Sequence, residues 1–93
     1  MAVFYMVCFD IRDDRRLRRV SDELENFGQR VQRSVFECWL DGKDRQALQA
    51  RLRDVIDPAV DEVRFYSLSP KDLRNVVVDG PGSITVDTDY HMI

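Results

Sequence analysis

The chain has one histidine, His91, and two cysteines, Cys8 and Cys38, in 93 residues. Both cysteines sit in apolar, strand-like runs without CxxC spacing or a nearby histidine, which argues against a zinc site. They read as reduced, buried, small hydrophobes. His91, third from the end, reads as surface decoration. No serine stands beside a histidine and no GxSxG occurs, so no nucleophile–base constellation is visible. The four glycines form no phosphate-binding loop. The apolar run Ala2–Phe9 is too short to cross a bilayer, and Asp10 ends it. With no basic start and no small-residue cleavage site, it does not read as a signal peptide. No membrane association is expected, and the cytoplasm is the expected location. There is no internal repeat and no low-complexity segment.

Lysine is scarce as well, since twelve of the fourteen basic residues are arginine. Arginine suits bidentate phosphate contacts, although a GC-rich source would raise it everywhere. The net charge of -3 argues against nonspecific nucleic-acid binding through bulk charge. Its distribution says otherwise. Arg12, Arg15, Arg16, Arg18 and Arg19 surround only Asp13 and Asp14, and Arg30 and Arg33 follow. The acidic excess lies from Asp54 onward. Hydrophobic residues are 44% and charged residues 33%, as in a soluble globular protein. A single domain of this length buries roughly 60–65% of its unfolded surface, so its core is thin and dimerisation would help.

Residues 2–10 read as a strand that is apolar on both faces until Asp10. Residues 14–27 read as a helix whose buried stripe is Leu17, Val20, Leu24 and Phe27. Asp13 is its expected N-cap and Gly28 its expected C′ residue. Arg15 and Arg16 stand in the first turn, where the helix dipole disfavours cations, and such broken rules point to function. Residues 29–40 read as two strands, or one kinked strand, breaking near Arg33–Ser34. Residues 44–56 read as a second helix, capped at Asp44, with Leu48, Leu52, Val55 and Ile56 on one stripe and Pro58 beyond its stop. Residues 62–68 form a strand with Val63 and Phe65 on one face and Tyr66 and Leu68 on the other. Pro70 ends it. Two β-like runs, Val76–Val78 and Ile84–Val86, follow.

The order is β-α-β-β-α-β, the α+β ferredoxin-like sandwich, over residues 1–74. Residues 75–93 form a β tail expected on a sheet edge of its own or a partner subunit. In this fold both helices cover one sheet face and leave the other bare. A first strand apolar on both faces therefore predicts that the bare face is buried, most simply by a second copy, since leaving it wet costs several kcal/mol. Asp10, at the rim, is open to three readings: strand terminator, helix cap or metal ligand. A carboxylate beside arginines suits a phosphate bridged by Mg²⁺, a hard cation that keeps several waters. One Asp per chain is too few ligands for a tight site, and a two-fold axis near Asp10 would supply a second.

Three segments carry a family resemblance: "VCFDI" followed by "RRLRRV", the stretch "GQRVQRSVFECWLD", and "DEVRFYSL" with its β-rich tail. The sequence resembles the small CRISPR-associated protein two family, the non-integrase subunit of the spacer-acquisition complex. The resemblance covers most of residues 3–68. It implies a ferredoxin-like homodimer in which Asp10 is the metal-binding and catalytic residue. It implies Mg²⁺ or another divalent cation, and endonuclease action on RNA or double-stranded DNA. It also implies a central dimer that bridges integrase subunits. The family's basic helix positions map onto Arg16 and Arg18, with Arg15 and Arg19 as neighbours. Its middle segment maps onto Arg30, Ser34 and Phe36, with Arg33 alongside. Where many members have tyrosine before the strand-end aspartate, this chain has Phe9 and lacks the phenol.

Overall fold

The computed structural model describes residues 1–82. The elements in order are β1 (Val3–Asp10), α1 (Asp14–Glu25), β2 (Gly28–Gln32), β3 (Val35–Leu40), α2 (Gly42–Val55), β4 (Glu62–Leu68) and α3 (Pro70–Arg74). The four strands form one sheet in the order β2-β3-β1-β4, with every neighbouring pair antiparallel. This is the expected ferredoxin-like arrangement, and it places β1 in the middle. Val7 lies between Phe36 on β3 and Phe65 on β4.

The central position explains the sequence of β1. On the helix side Val7 and Phe9 are buried with Phe36, Cys38 and Leu40, and Tyr5 packs against them. Val20 and Leu24 from α1 and Leu48, Leu52 and Val55 from α2 close this core. Each such side chain contributes roughly 1.5–3 kcal/mol when fully buried. Tyr5 meets Phe65 edge-on, with ring centroids 6.2 Å apart.

The other face is covered in part by an element that was not anticipated. Pro70 does end β4, but it also opens α3. Ser69 is the N-cap, and its side chain and that of Asp72 reciprocate in a capping box. Pro at the first helical position costs nothing there because its missing N–H would be unpaired anyway. α3 buries Leu73, which lines an apolar cavity of about 320 Å³ with Phe4, Trp39 and Leu68. Phe4 and Trp39 pack edge-to-face at 5.4 Å, so Phe4 is only 2% exposed. Further along, Met6 and Cys8 are half-buried and Tyr66 is exposed.

Three boundaries differ from the periodicity. Asn26, not Gly28, caps the end of α1. Gly28 starts β2, and a Cβ there would lie 2.3 Å from the Glu37 carbonyl oxygen and 2.4 Å from Cys38 Sγ. Close approach of two strands, not a left-handed turn, demands this glycine. α2 begins earlier than expected, because Asp41 is its N-cap and accepts from the Asp44 N–H at 2.7 Å. The hairpin turns at Arg33–Ser34 as anticipated, with a register irregularity between Arg30 and Gln32. Val76–Val78, read as a β-like run, form no strand, and Val77 is 82% exposed. Ile84–Val86 and His91 lie outside the described residues.

Candidate functional site

Asp10 is the last residue of β1, in register with Glu62 on β4. β1 alternates, so Asp10 falls on the face opposite the helices with Phe4, Met6 and Cys8. Its side chain is 70% exposed, and among the described residues its one ion pair is with Arg12, at 3.7 Å. Beside it is a shallow depression of about 370 Å³, lined by Asp10, Asp14, Leu17, Arg33 and Ser34 with Phe9 and Ile11. The Phe9 N–H donates to the Ser34 carbonyl at 3.1 Å, which pins the β2–β3 turn next to the end of β1. The Phe9 ring itself turns into the core and packs at 6.1 Å on Phe36. Phe36 is fully buried and supports the site from beneath rather than lining it.

The arginines divide into three groups. Arg18, Arg30 and Arg33 converge on a groove of about 450 Å³ between α1 and the β2–β3 hairpin, which they share with the acids Asp14, Asp22 and Glu25. Arg30 lies over the Phe36 ring at 5.9 Å and donates from Nε to the Arg33 carbonyl at 3.1 Å, so it braces the turn that carries Arg33. The second group, Arg15 and Arg19, is one turn apart on α1 and exposed away from that groove. The third is Arg16 alone, which is committed to an internal partner.

That partner is Asp61, a buried carboxylate whose side chain is wholly shielded from solvent. Oδ2 accepts from Arg16 Nε at 2.7 Å and from the Asp57 N–H at 2.8 Å. Oδ1 accepts from the Arg12 N–H at 2.9 Å and from Arg16 Nη2 at 3.3 Å. The Arg16 guanidinium beside it, then the two backbone donors, hold the Asp61 carboxyl well below the usual carboxylate range. The same hydrogen bond raises the pKa of Arg16. Arg16 in the first turn of α1 is thus explained by a fixed anion next to it, which offsets the unfavourable helix dipole. Sequence reasoning missed Asp61. Its signal was the "DPAVD" turn directly before β4, where a second aspartate can reach back to bond free N–H groups.

Arg64 also escaped notice. It lies in register with Cys8 on the open face and ion-pairs with Glu62, while its Nη1 donates to the Tyr66 hydroxyl at 3.2 Å. These contacts raise its pKa, Tyr66 first and Glu62 next. Burial pushes the Cys38 thiol up to about 12, with Glu37 adding to the effect. Burial likewise raises Cys8, against a lowering from Arg64. Both cysteines are free, as expected, but Cys8 is only half-buried.

Among the described residues no three His, Cys, Asp or Glu side chains converge to hold a metal. Asp10 shares its depression with Asp14 and its ladder rung with the exposed Glu62, so among the described residues one chain offers a cation open carboxylates but no three-ligand cage. That donor set suits a hard, largely hydrated ion such as Mg²⁺, and not a tightly caged one. No helix among the described residues is long and apolar enough to cross a membrane.

Known proteins share this fold. A solved Cas2 structure from Streptococcus pyogenes superposes with a TM-score of 0.74 at 34% identity, covering 83% of this chain and 99% of that one. A chain of a partial Cas6-RT-Cas1–Cas2 complex superposes with a TM-score of 0.71 at 27% identity, covering 90% and 99%. In sequence the chain is 44% identical over 89 residues to the CRISPR-associated endoribonuclease Cas2 3 of Synechocystis sp., covering 88% of this chain and 97% of that relative. The family described as CRISPR associated protein Cas2 matches residues 1–76, which span every described element from β1 to α3. With fold, length and sequence in agreement, the chain belongs to the CRISPR-associated protein Cas2 family.

Proposed function

We propose that the protein works in spacer acquisition as a homodimer that binds nucleic acid and cleaves it as a Mg²⁺-dependent endonuclease. The observation that carries this reading is the position of Asp10. It is an exposed carboxylate at the rim of an incompletely covered sheet face, beside a groove bearing Arg18, Arg30 and Arg33. Met6, Cys8 and Tyr66 on that face supply apolar surface for a second copy to cover. A two-fold axis through it brings the two Asp10 carboxylates to one region. Relatives carrying the endoribonuclease name support phosphodiester hydrolysis.

Bound there, a divalent cation would polarise a phosphoryl oxygen and lower the pKa of a coordinated water. The chain's own residues do the remaining work. Asp10 of each subunit would hold the cation. Arg15, Arg18, Arg19 and Arg33 contact phosphates along the backbone of double-stranded DNA or RNA, without reading bases. Arg30 sets the turn, and Ser34 lines the depression next to Asp10. The dimer stands between integrase subunits, and the likeness to the chain in the Cas1-containing complex supports that partner.

A second reading is a non-catalytic dimeric scaffold that bridges the integrase and holds duplex DNA by its backbone. The lack of three converging ligands among the described residues and the absence of a hydroxyl at Phe9 favour it. Light scattering with a parallel cleavage assay tests the proposal. The protein should have twice the chain mass at micromolar concentration, and Met6→Glu should give a monomer that no longer cleaves. A monomer that cleaves at the parent rate would overturn the dimeric site.

A further inference from the structure

We infer that Asp61 is the positioning residue for the Asp10 carboxylate, an inference that rests on the reading of Asp10 as the metal-binding group. The β1–β4 ladder ends at Asp10. Asp10 and Glu62 form its last rung. Beyond it β1 leaves the sheet, and a chain leaving a sheet carries unpaired N–H groups that would normally turn to water. Here the Arg12 N–H, two residues after Asp10, is captured at 2.9 Å by Asp61 Oδ1. Asp61 is the residue just before Glu62. The pair Asp10–Glu62 is therefore flanked by an anchor running from the neighbour of Glu62 to the near neighbour of Asp10. The backbone of Asp10 is held from both sides.

The carboxylate does this because its other bonds lock it in place. Arg16 engages both oxygens, and the Asp57 N–H engages Oδ2. Three separate segments thus meet on one buried group: the exit of β1, the first turn of α1 and the turn before β4. Each oxygen accepts two donors, so all four hydrogen bonds require a carboxylate. Asparagine in either orientation would turn its NH₂ toward two donors. The Asp10 side chain, by contrast, has among the described residues only a 3.7 Å ion contact and is 70% exposed. Its direction follows its backbone, which the Glu62 rung holds on one side and the Asp61 anchor on the other.

The test compares Asp61→Asn with the parent dimer, using a labelled DNA duplex and an RNA of matched sequence as substrates and Mn²⁺ as the metal probe. The expected result is a fall of at least tenfold in kcat, with KM and duplex affinity within twofold. Mn²⁺ binding without nucleic acid, read by electron paramagnetic resonance, should weaken at least fivefold. A second pair of variants bypasses any folding failure of Asp61→Asn. Arg12→Pro deletes the captured N–H, whereas Arg12→Ala keeps it and removes the same guanidinium. Arg12→Pro should lose at least tenfold more kcat than Arg12→Ala. Folded Asp61→Asn with parental kcat and Mn²⁺ affinity, or equal kcat for the two Arg12 variants, would overturn the inference. Asp10→Ala run alongside separates the two levels. If Asp10→Ala cleaves like the parent, the reading of Asp10 fails. If it is inactive while Asp61→Asn is fully active, only the positioning role fails.

Discussion

Arg16 and its neighbours on α1 should behave differently toward salt. Arg15, Arg18 and Arg19 are exposed, whereas the Arg16 guanidinium faces Asp61 with Nε 2.7 Å from a carboxylate oxygen. Each phosphate contact on a duplex adds about 0.9 to the slope of log affinity against log salt concentration. Replacing Arg15, Arg18 and Arg19 together by glutamine should therefore lower that slope by about 2.7 for each chain that engages the duplex. A dimer engaged through both chains should lose about 5.4. Adding Arg16→Gln should leave the slope where the triple variant put it. It should instead lower the melting temperature, because Asp61 loses two of its four hydrogen bonds. Fluorescence anisotropy of a labelled duplex across about 50–200 mM salt measures the slope. An unchanged slope in the triple variant would return those arginines to plain solvated surface. A lower slope from Arg16→Gln alone would contradict its commitment to Asp61.

Other consequences follow from the same contacts. Gly28→Ala should destabilise the fold by about 1–3 kcal/mol in urea denaturation, because its Cβ would meet the Glu37 carbonyl at 2.3 Å; unchanged stability would show that β2 and β3 can part there freely. The depressed Asp61 carboxyl stabilises the fold fully above its unfolded pKa of about 3.9, and that stability is lost as pH falls below it toward the folded value. Asp61→Asn should therefore flatten the acid limb of the stability profile below about pH 4, and an identical limb would refute the linkage. Cys38 should resist alkylation at pH 8 until the protein unfolds, given its thiol pKa of about 12 and complete burial; modification of native protein at the rate of a free thiol would refute this.

Much of the fold was legible because β1 and the two long helices have strong periodic patterns. Val7 and Phe9 could only be read as core, and the Leu17, Val20, Leu24 stripe found its sheet. The boundaries were harder where two aspartates competed. Asp41 and Asp44 both suit an N-cap, and only the bond from the Asp44 N–H to Asp41 decides between them. α3 was readable in "SPKD", since a capping box with Pro behind the cap is a local signal, but Pro70 drew the reading toward termination alone. Asp10 was visible as a strand-end carboxylate. Asp61 was not, because its partners Arg12 and Arg16 lie 49 and 45 residues away in the chain. The "DPAVD" turn signals the local bond from the Asp57 N–H, but not the meeting with Arg12 and Arg16. For the same reason Arg16 looked equivalent to Arg15 and Arg18 until their directions were known. Phe36, placed beside the site by the resemblance, proved to be its buried support.

In the proposed function Asp10 carries the chemistry while contributing almost nothing to the fold. Its side chain is 70% exposed, and a 3.7 Å surface ion contact contributes at most about 1 kcal/mol. The direct measurement is Mg²⁺-dependent cleavage of duplex DNA and RNA by Asp10→Ala, with melting temperature and duplex affinity determined on the same sample. Asp10→Ala should lose cleavage while keeping parental stability and parental binding. Cleavage at the parent rate by Asp10→Ala would contradict that role.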